Sequence, residues 1–405
     1  MIRMNTCNSA LRQRLRATLA SLATIGLLAA CGGGGGVGIG GTGSVPDTFS
    51  SGPISGFGSV VVHGVHFDDS TARVEDADGS LRAAGDLRLG MVVDVDSSAI
   101  VAGATLNTAT ASLIRFGSLL VGPLSAIDSA NGRLTVLGQT IDIGGDTVFD
   151  DRIAAGLAGL RLGQVLEIHG LNDTQRLSIH ATRIEPAGTV GEYRLRGVVH
   201  LFDGAAKTFS IGSTPVSYAL AANAPAGLAN GAVVRLRLLT NVDGAGRWQT
   251  SSFGAQAAVP TDRNRAEVEG LIDSFTAAAS FSVNGIAVNA AAAVFTNGSA
   301  GLTRGVRVEL KGALRAGVLV ASEVKIKSED DVRDTAFELQ GSITSVNAAQ
   351  KTFVLRGNRV DYSDPAIRFD NGTAADLAPN RRVEVRGVLS SDRTKLMAQR
   401  IKFDS

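Results

Sequence analysis

The chain has 405 residues, enough for two to four average domains, with 39 Lys and Arg against 38 Asp and Glu for a formal net charge of +1. Charged residues make up 19%, aromatic residues 5%, and 49 residues are Gly. Short Val/Ile/Leu/Phe alternations bounded by Gly, Asn, Asp and Ser exclude a protein of long helices and predict an all-β chain with many turns. After the first 30 residues no apolar stretch is long enough to cross a membrane as a helix.

In chain order, residues 1–30 read as a signal peptide. Arg3, Arg12, Arg14 and Arg16 precede the apolar run "ATLASLATIGLLAA", residues 17–30. A basic leader before an apolar core too short to span a bilayer marks a secretory signal. Leu28-Ala29-Ala30-Cys31 resembles the lipobox of bacterial lipoproteins. That resemblance implies cleavage before Cys31 and lipidation of its thiol, and both Met1 and Met4 stay open as the start. Cys7 leaves with the leader, so Cys31 has no disulfide partner. Residues 31–50 form a Gly-rich tether, a flexible coil reaching ~25 Å. Gly36, Gly38 and Gly41 make a formal dinucleotide-binding match, but in low-complexity sequence with no strand before it the match carries no weight.

Internal repeats organise the remainder. Gly-x-apolar-x-x-apolar recurs from Gly52, Gly122, Gly197, Gly270 and Gly341, at intervals of 70, 75, 73 and 71 residues. Leu-x-x-Gly followed by an alternating strand recurs as "LRLGMVVDV", "LRLGQVLEI", "LANGAVVRL", "LTRGVRVEL" and "LAPNRRVEV", where Asn380 takes the Gly place. A third anchor closes each copy: "ASLI", "ATRI", "TSSF", "ASEV" and "AQRI". Five tandem units follow: 51–116, 117–188, 189–260, 264–328 and 335–405.

The fifth unit shows the expected elements best. "ELQGSITSV" is strand one, "TFVLRGNRVDY" strand two, "AIRFD" strand three, a short helix follows, and "RRVEVRG" with "KLMAQRIKF" closes as a hairpin. Val383 and Val385 share one strand face, as do Val93/Val95, Leu166/Ile168, Val234/Leu236 and Val308/Leu310 in the other copies. Five strands with a helix between the third and fourth give the order of a small OB-like barrel; a row of sandwiches pairing across neighbours is the other architecture. "GSITSVNAAQKTFVLRGNRVDY…RRVEVRGVLSSDRTKLMAQRIKF" resembles a domain-of-unknown-function family that recurs in tandem in Gly-rich proteobacterial lipoproteins. The resemblance implies an envelope lipoprotein and brings no activity or catalytic residue with it.

Reactive constellations are sparse. In "VVHGVHF", read as one strand, His63 and His66 lie three apart on opposite faces and cannot chelate one ion together. "EDADG", residues 75–79, resembles a calcium-loop fragment, but Gly85 stands where the closing Glu belongs, so a hairpin turn is expected. Asp150-Asp151 recurs in place as Asp370-Asn371 and reads as turn chemistry. There is no Gly-x-Ser-x-Gly elbow and no spare thiol. An enzyme is not expected, nor a cofactor or metal. Phe209, Phe281 and Phe353 recur at one slot and read as core rather than as a base-stacking platform, so no nucleic acid is expected as partner.

The formal charge by unit runs −4, −3, +3, +1 and +3 over residues 51–116, 117–188, 192–258, 266–327 and 337–405. The third unit holds Tyr193, Tyr218 and Trp248 among Arg194, Arg196, Arg235, Arg237 and Arg247. It also lacks the "GNRV"-type turn in register. Arg235 and Arg237 alternate with Val234 and Leu236, so both face away from the core. Tyr193, Arg235, Arg237 and Trp248 are the candidate contacts for an anionic or carbohydrate partner; the alternative is that the aromatic residues fill the barrel and the arginines solvate its outside. Five diverged copies with no repeated polar pocket point to a non-catalytic spacer or protein-interaction array held to the membrane by the N-terminal lipid; the alternative is an envelope binder of a glycan or anionic polymer. Gly32 after the Cys points to the outer membrane.

Overall fold

The structure, a computed structural model, describes residues 46–255, 260–333 and 335–404. Cys31 and the leader lie outside the described residues.

Each repeat is a closed five-stranded barrel. In the fifth, Phe337–Asn347 pairs antiparallel with Thr352–Leu355, which pairs with Asn358–Asp361. That strand runs parallel to Leu396–Phe403, which pairs with Arg382–Leu389, and Arg382–Leu389 returns to Phe337–Asn347. The strand order is 1-2-3-5-4-1, and the same ring closes the second, third and fourth units. The first unit closes the same way with its first strand broken into Thr48–Pro53 and Gly56–Phe57. Closure covers most strand edges within a unit, and the segments left open pair between units.

Several details differ from the sequence reading. "TFVLRGNRVDY" is two strands rather than one, folded at Arg356 and Gly357, both with positive φ (49° and 73°). "AIRFD" therefore supplies only a short accessory strand, Arg368–Asp370, running parallel to Leu396–Phe403. Two-residue turns with left-handed backbone match the twist of a hairpin. Their sequence signal is weak here, because Arg356, His63 and Leu137 hold a place usually given to Asn or Asp. "VVHGVHF" is such a hairpin too, with His63-Gly64 at its tip. The third unit does carry the turn, as Gly212-Ser213 between Ile211 and Thr214. Strand Thr48–Pro53 begins inside the stretch assigned to the tether. The charged boundary "SEDDVRD" forms a short helix, Glu329–Arg333, where Ser328 and Asp331 exchange capping hydrogen bonds at 2.9 and 3.0 Å.

The repeated glycines have a steric cause. A Cβ on Gly52, Gly122, Gly197 or Gly270 would stand 2.3–2.7 Å from the side chain at or beside the hairpin turn: His63, Leu137, Ile211 and Asn284 respectively. In the fifth unit Gly341 faces the flexible Arg356 at 3.1 Å. The Leu-x-x-Gly anchor places its last residue in left-handed backbone, at φ 77–87° for Gly90, Gly163, Gly231 and Gly305. Asn380 adopts φ 67°, and Asn is the side chain that best tolerates this region.

The units do not follow one another in a row. Residues 48–51 run parallel to 265–268, joining the first barrel to the fourth. Gly56 and Phe57 pair with Glu338 and Leu339, joining it to the fifth. Leu120 and Val121 pair with Leu195 and Arg194, joining the second to the third. Buried apolar side chains accordingly form one cluster across the first and fifth barrels, one across the second and third, and one in the fourth that takes in Phe49. The acidic first two units dock against the basic third and fourth. Asp96 pairs with Arg263 at 2.7 Å, Asp78 with Arg237 at 2.8 Å, and Asp146 with Arg307 at 2.6 Å. Arg307 also holds Glu269 at 2.6 Å. Part of the uneven charge along the sequence is thus paired between barrels.

Candidate functional site

A cleft of about 350 Å³ opens where the first three barrels meet. One wall belongs to the third. Its strands Tyr193–Asp203 and Val233–Val242 pair in a register that sets Arg194 opposite Arg237 and Arg196 opposite Arg235. Side chains alternate along a strand, so all four guanidinium groups share the outer face while Leu195, Val234 and Leu236 point into the core. Like charges set directly opposite repel.

The repulsion is only partly relieved. The first unit's turn brings Asp78 to Arg237 at 2.8 Å and to Arg235 at 3.5 Å, and Glu192 reaches Arg237 at 3.5 Å. Arg235 also donates to the carbonyls of Ala77 and Ala255. Burial and the Arg196 and Arg194 charges press Arg235 below the usual arginine range, against the pull of Asp78. Asp78 sits in the "EDADG" segment, which forms a turn in which Asp76 accepts from the backbone N–H of Asp78 and Ser80 at 2.9 and 3.0 Å. The Arg194 guanidinium makes no hydrogen bond or ion pair among the described residues and is exposed. The Nε of Arg196 is buried with no hydrogen-bond partner. Asp94, whose charge Arg196 feels, is held above its usual range by burial, which outweighs Ser51 and the charges of Arg196 and Arg115.

Of the four sequence candidates, Arg235 and Arg237 stand on this wall. Tyr193 and Trp248 pack edge to face at 5.5 Å, half-buried against the core of the second and third barrels. Arg194 and Arg196 complete the face; the alternation that marked Arg235 and Arg237 also runs through "YRLRG".

The second barrel supplies the other wall with Glu167 and Glu185, themselves directly opposed across strands Val165–Asp173 and Ser178–Pro186. Burial favours the neutral form of Glu185, but His169 and Arg183 outweigh it and hold the carboxyl down to about 2. His169 is buried between these acids, its Nε2 3.5 Å from Glu185 and 3.9 Å from Glu167. A second His–Glu–Glu group, His63, Glu269 and Glu309, lies between the first and fourth barrels. There Arg307 already holds Glu269, and Lys311 and Lys327 stand 3.7 and 3.9 Å from Glu309. His66 faces Glu338 of the fifth barrel at 3.8 Å, so the two histidines of "VVHGVHF" serve different neighbours.

Fold and cleft define an all-β protein of tandem closed barrels packed around a charged groove. The family model described as Domain of unknown function (DUF5666) matches residues 121–185, 269–325 and 340–402, which are the second, fourth and fifth barrels. No curated protein matches the chain. Among solved structures it is similar to one titled "drosophila Unr CSD456", at 12% identity over 57% of this chain and 99% of that one. The TM-score is 0.15, too low for the likeness to bear weight.

Proposed function

We propose that this chain is a non-catalytic binding protein whose cleft takes a partner carrying carboxylate, sulfate or phosphate groups, displayed in a bacterial envelope through lipid on Cys31. The observation that carries the reading is the pair of opposed arginines, Arg194/Arg237 and Arg196/Arg235, of which Asp78 and Glu192 pair with Arg235 and Arg237, while Arg194 makes no ion pair among the described residues. A planar guanidinium recognises such anionic groups with two parallel hydrogen bonds. The spacer reading loses support because the first barrel bonds to the fourth and fifth, which suits a locked body better than a row of links.

Binding is tested with fluorescent dextran sulfate, with neutral dextran as control. Binding to the wild type is expected to weaken as salt rises. Arg194→Ser with Arg196→Ser is expected to weaken it by about tenfold or more, at ~1.5–3 kcal/mol for each charged hydrogen bond lost. The same change at Arg381 and Arg382, on the fifth barrel, leaves it unchanged. Equal losses from both pairs, or none from either, would overturn the assignment of the cleft.

A further inference from the structure

Glu167 and His169 are two residues apart on strand Val165–Asp173 and therefore share a face. In register across the ladder stand Glu185 opposite Glu167 and Arg183 opposite His169. The arrangement is costly as it stands. Two carboxylates face one another, and between them is an imidazole only 1% exposed. Neither of its ring nitrogens makes a well-aligned hydrogen bond, and Nε2 is held only at ion-pair distance from the two carboxylates.

The three side chains converge. His169 Nε2 lies 3.5 Å from Glu185 Oε1 and 3.9 Å from Glu167 Oε1, and one ligand atom from each residue falls within 4.8 Å of the others. Metal–ligand bonds of roughly 2.0–2.2 Å in a tetrahedral site set ligand atoms roughly 3.3–3.6 Å apart, so a small inward movement of Glu167 closes the geometry. The second oxygen of Glu185 is already occupied: Arg183 donates to it from Nε and Nη2, both at 3.1 Å. Arg183, 3% exposed, is itself fixed by Asp150 at 2.5 Å and the Leu89 carbonyl at 3.3 Å. Such an outer partner orients a ligating carboxylate and leaves its other oxygen free. Glu167 is 27% exposed and lines the cleft with Glu185, which gives an ion its way in.

We infer that Glu167, His169 and Glu185 form a binding site for a divalent transition ion of the zinc class. One imidazole nitrogen with two carboxylate oxygens suits such an ion. Three protein ligands leave a fourth position open for water or a further ligand. The inference does not rest on the anion reading, since the ion alone is assayed.

The test uses the whole chain freed of metal with a chelator and titrated with Co²⁺ alone at pH 7.5, following visible absorption and metal per chain. One equivalent is expected to bind with the intense bands of a four-coordinate ion. Glu167→Gln, chosen because the side chain is half-exposed and the change is isosteric, is expected to cut affinity at least tenfold with an unchanged circular dichroism spectrum. Glu309→Gln, in the other His–Glu–Glu group, leaves it unchanged. Absence of Co²⁺ binding by the wild type overturns the site. So does binding that Glu167→Gln leaves intact, or binding that Glu309→Gln abolishes.

Discussion

Replacing Arg307 with Met tests how firmly the second and fourth barrels are locked. The Arg307, Asp146 and Glu269 side chains are 9%, 5% and 10% exposed, and both ion pairs close at 2.6 Å. Methionine matches the length of the stem but leaves two buried carboxylates, with His180 at 2.9 Å from Asp146, and His63 at 3.7 Å together with the Lys327 charge near Glu269. Breaking a buried pair in this way costs ~3–5 kcal/mol, whereas removing all the charges together is close to neutral. Urea unfolding followed by circular dichroism is expected to show that loss for Arg307→Met. Most of it should return in the triple variant with Asp146→Asn and Glu269→Gln. The pH dependence has a definite sign. Burial raises both carboxyls, yet the Arg307 charge with its neighbours prevails and holds them below their ordinary values of 3.8 and 4.5. Their stabilisation is therefore complete above those values and lost as pH falls through the lower folded ones. The Arg307→Met penalty should shrink below about pH 4. A penalty under ~1 kcal/mol at neutral pH would show that these charges behave as solvated surface pairs, and the reasoning from burial would fail.

Two further predictions concern the repeat anchor and the membrane. Gly197→Ala, whose new methyl would meet Ile211 at 2.3 Å, is expected to cost ~1–3 kcal/mol in the same urea assay, while Gly341→Ala, facing the movable Arg356 at 3.1 Å, costs under ~1; equal penalties would remove the steric account of the repeat. Cys31→Ser is expected to leave the protein unprocessed or to move it out of the detergent-soluble membrane fraction, and unchanged mass and fractionation would refute the lipid anchor.

The closed barrel was legible because its determinants are local. Three anchors with fixed spacing, a two-residue alternation in the closing hairpins, and Phe209, Phe281 and Phe353 at one slot all describe side chains within a unit, and all three rings are buried. The hairpin inside "TFVLRGNRVDY" was missed because Arg356 at positive φ carries no turn signal of its own. Only Asn284-Gly285 offers the familiar pair. Pairing between barrels was illegible for a different reason. The partner of Ser51 is Val268, and no periodicity in either segment records which exposed edge will meet which. The same holds at the cleft: alternation placed Arg235 and Arg237 on one face, but Asp78, which answers them from another barrel, announces nothing beyond a turn.

The parallel pairing of residues 48–51 with 265–268 also sets a condition on the order of assembly. Whether the chain leaves a ribosome or is threaded through a membrane, its first barrel emerges with one flank of that strand covered by Val92–Ser97 and the other bare. The missing cover is 217 residues away in sequence. Contacts so distant form late, and a bare strand flank accepts any copy of its complement. At high concentration, refolding should therefore yield exchanged dimers in which the fourth barrel of one molecule covers the first barrel of another.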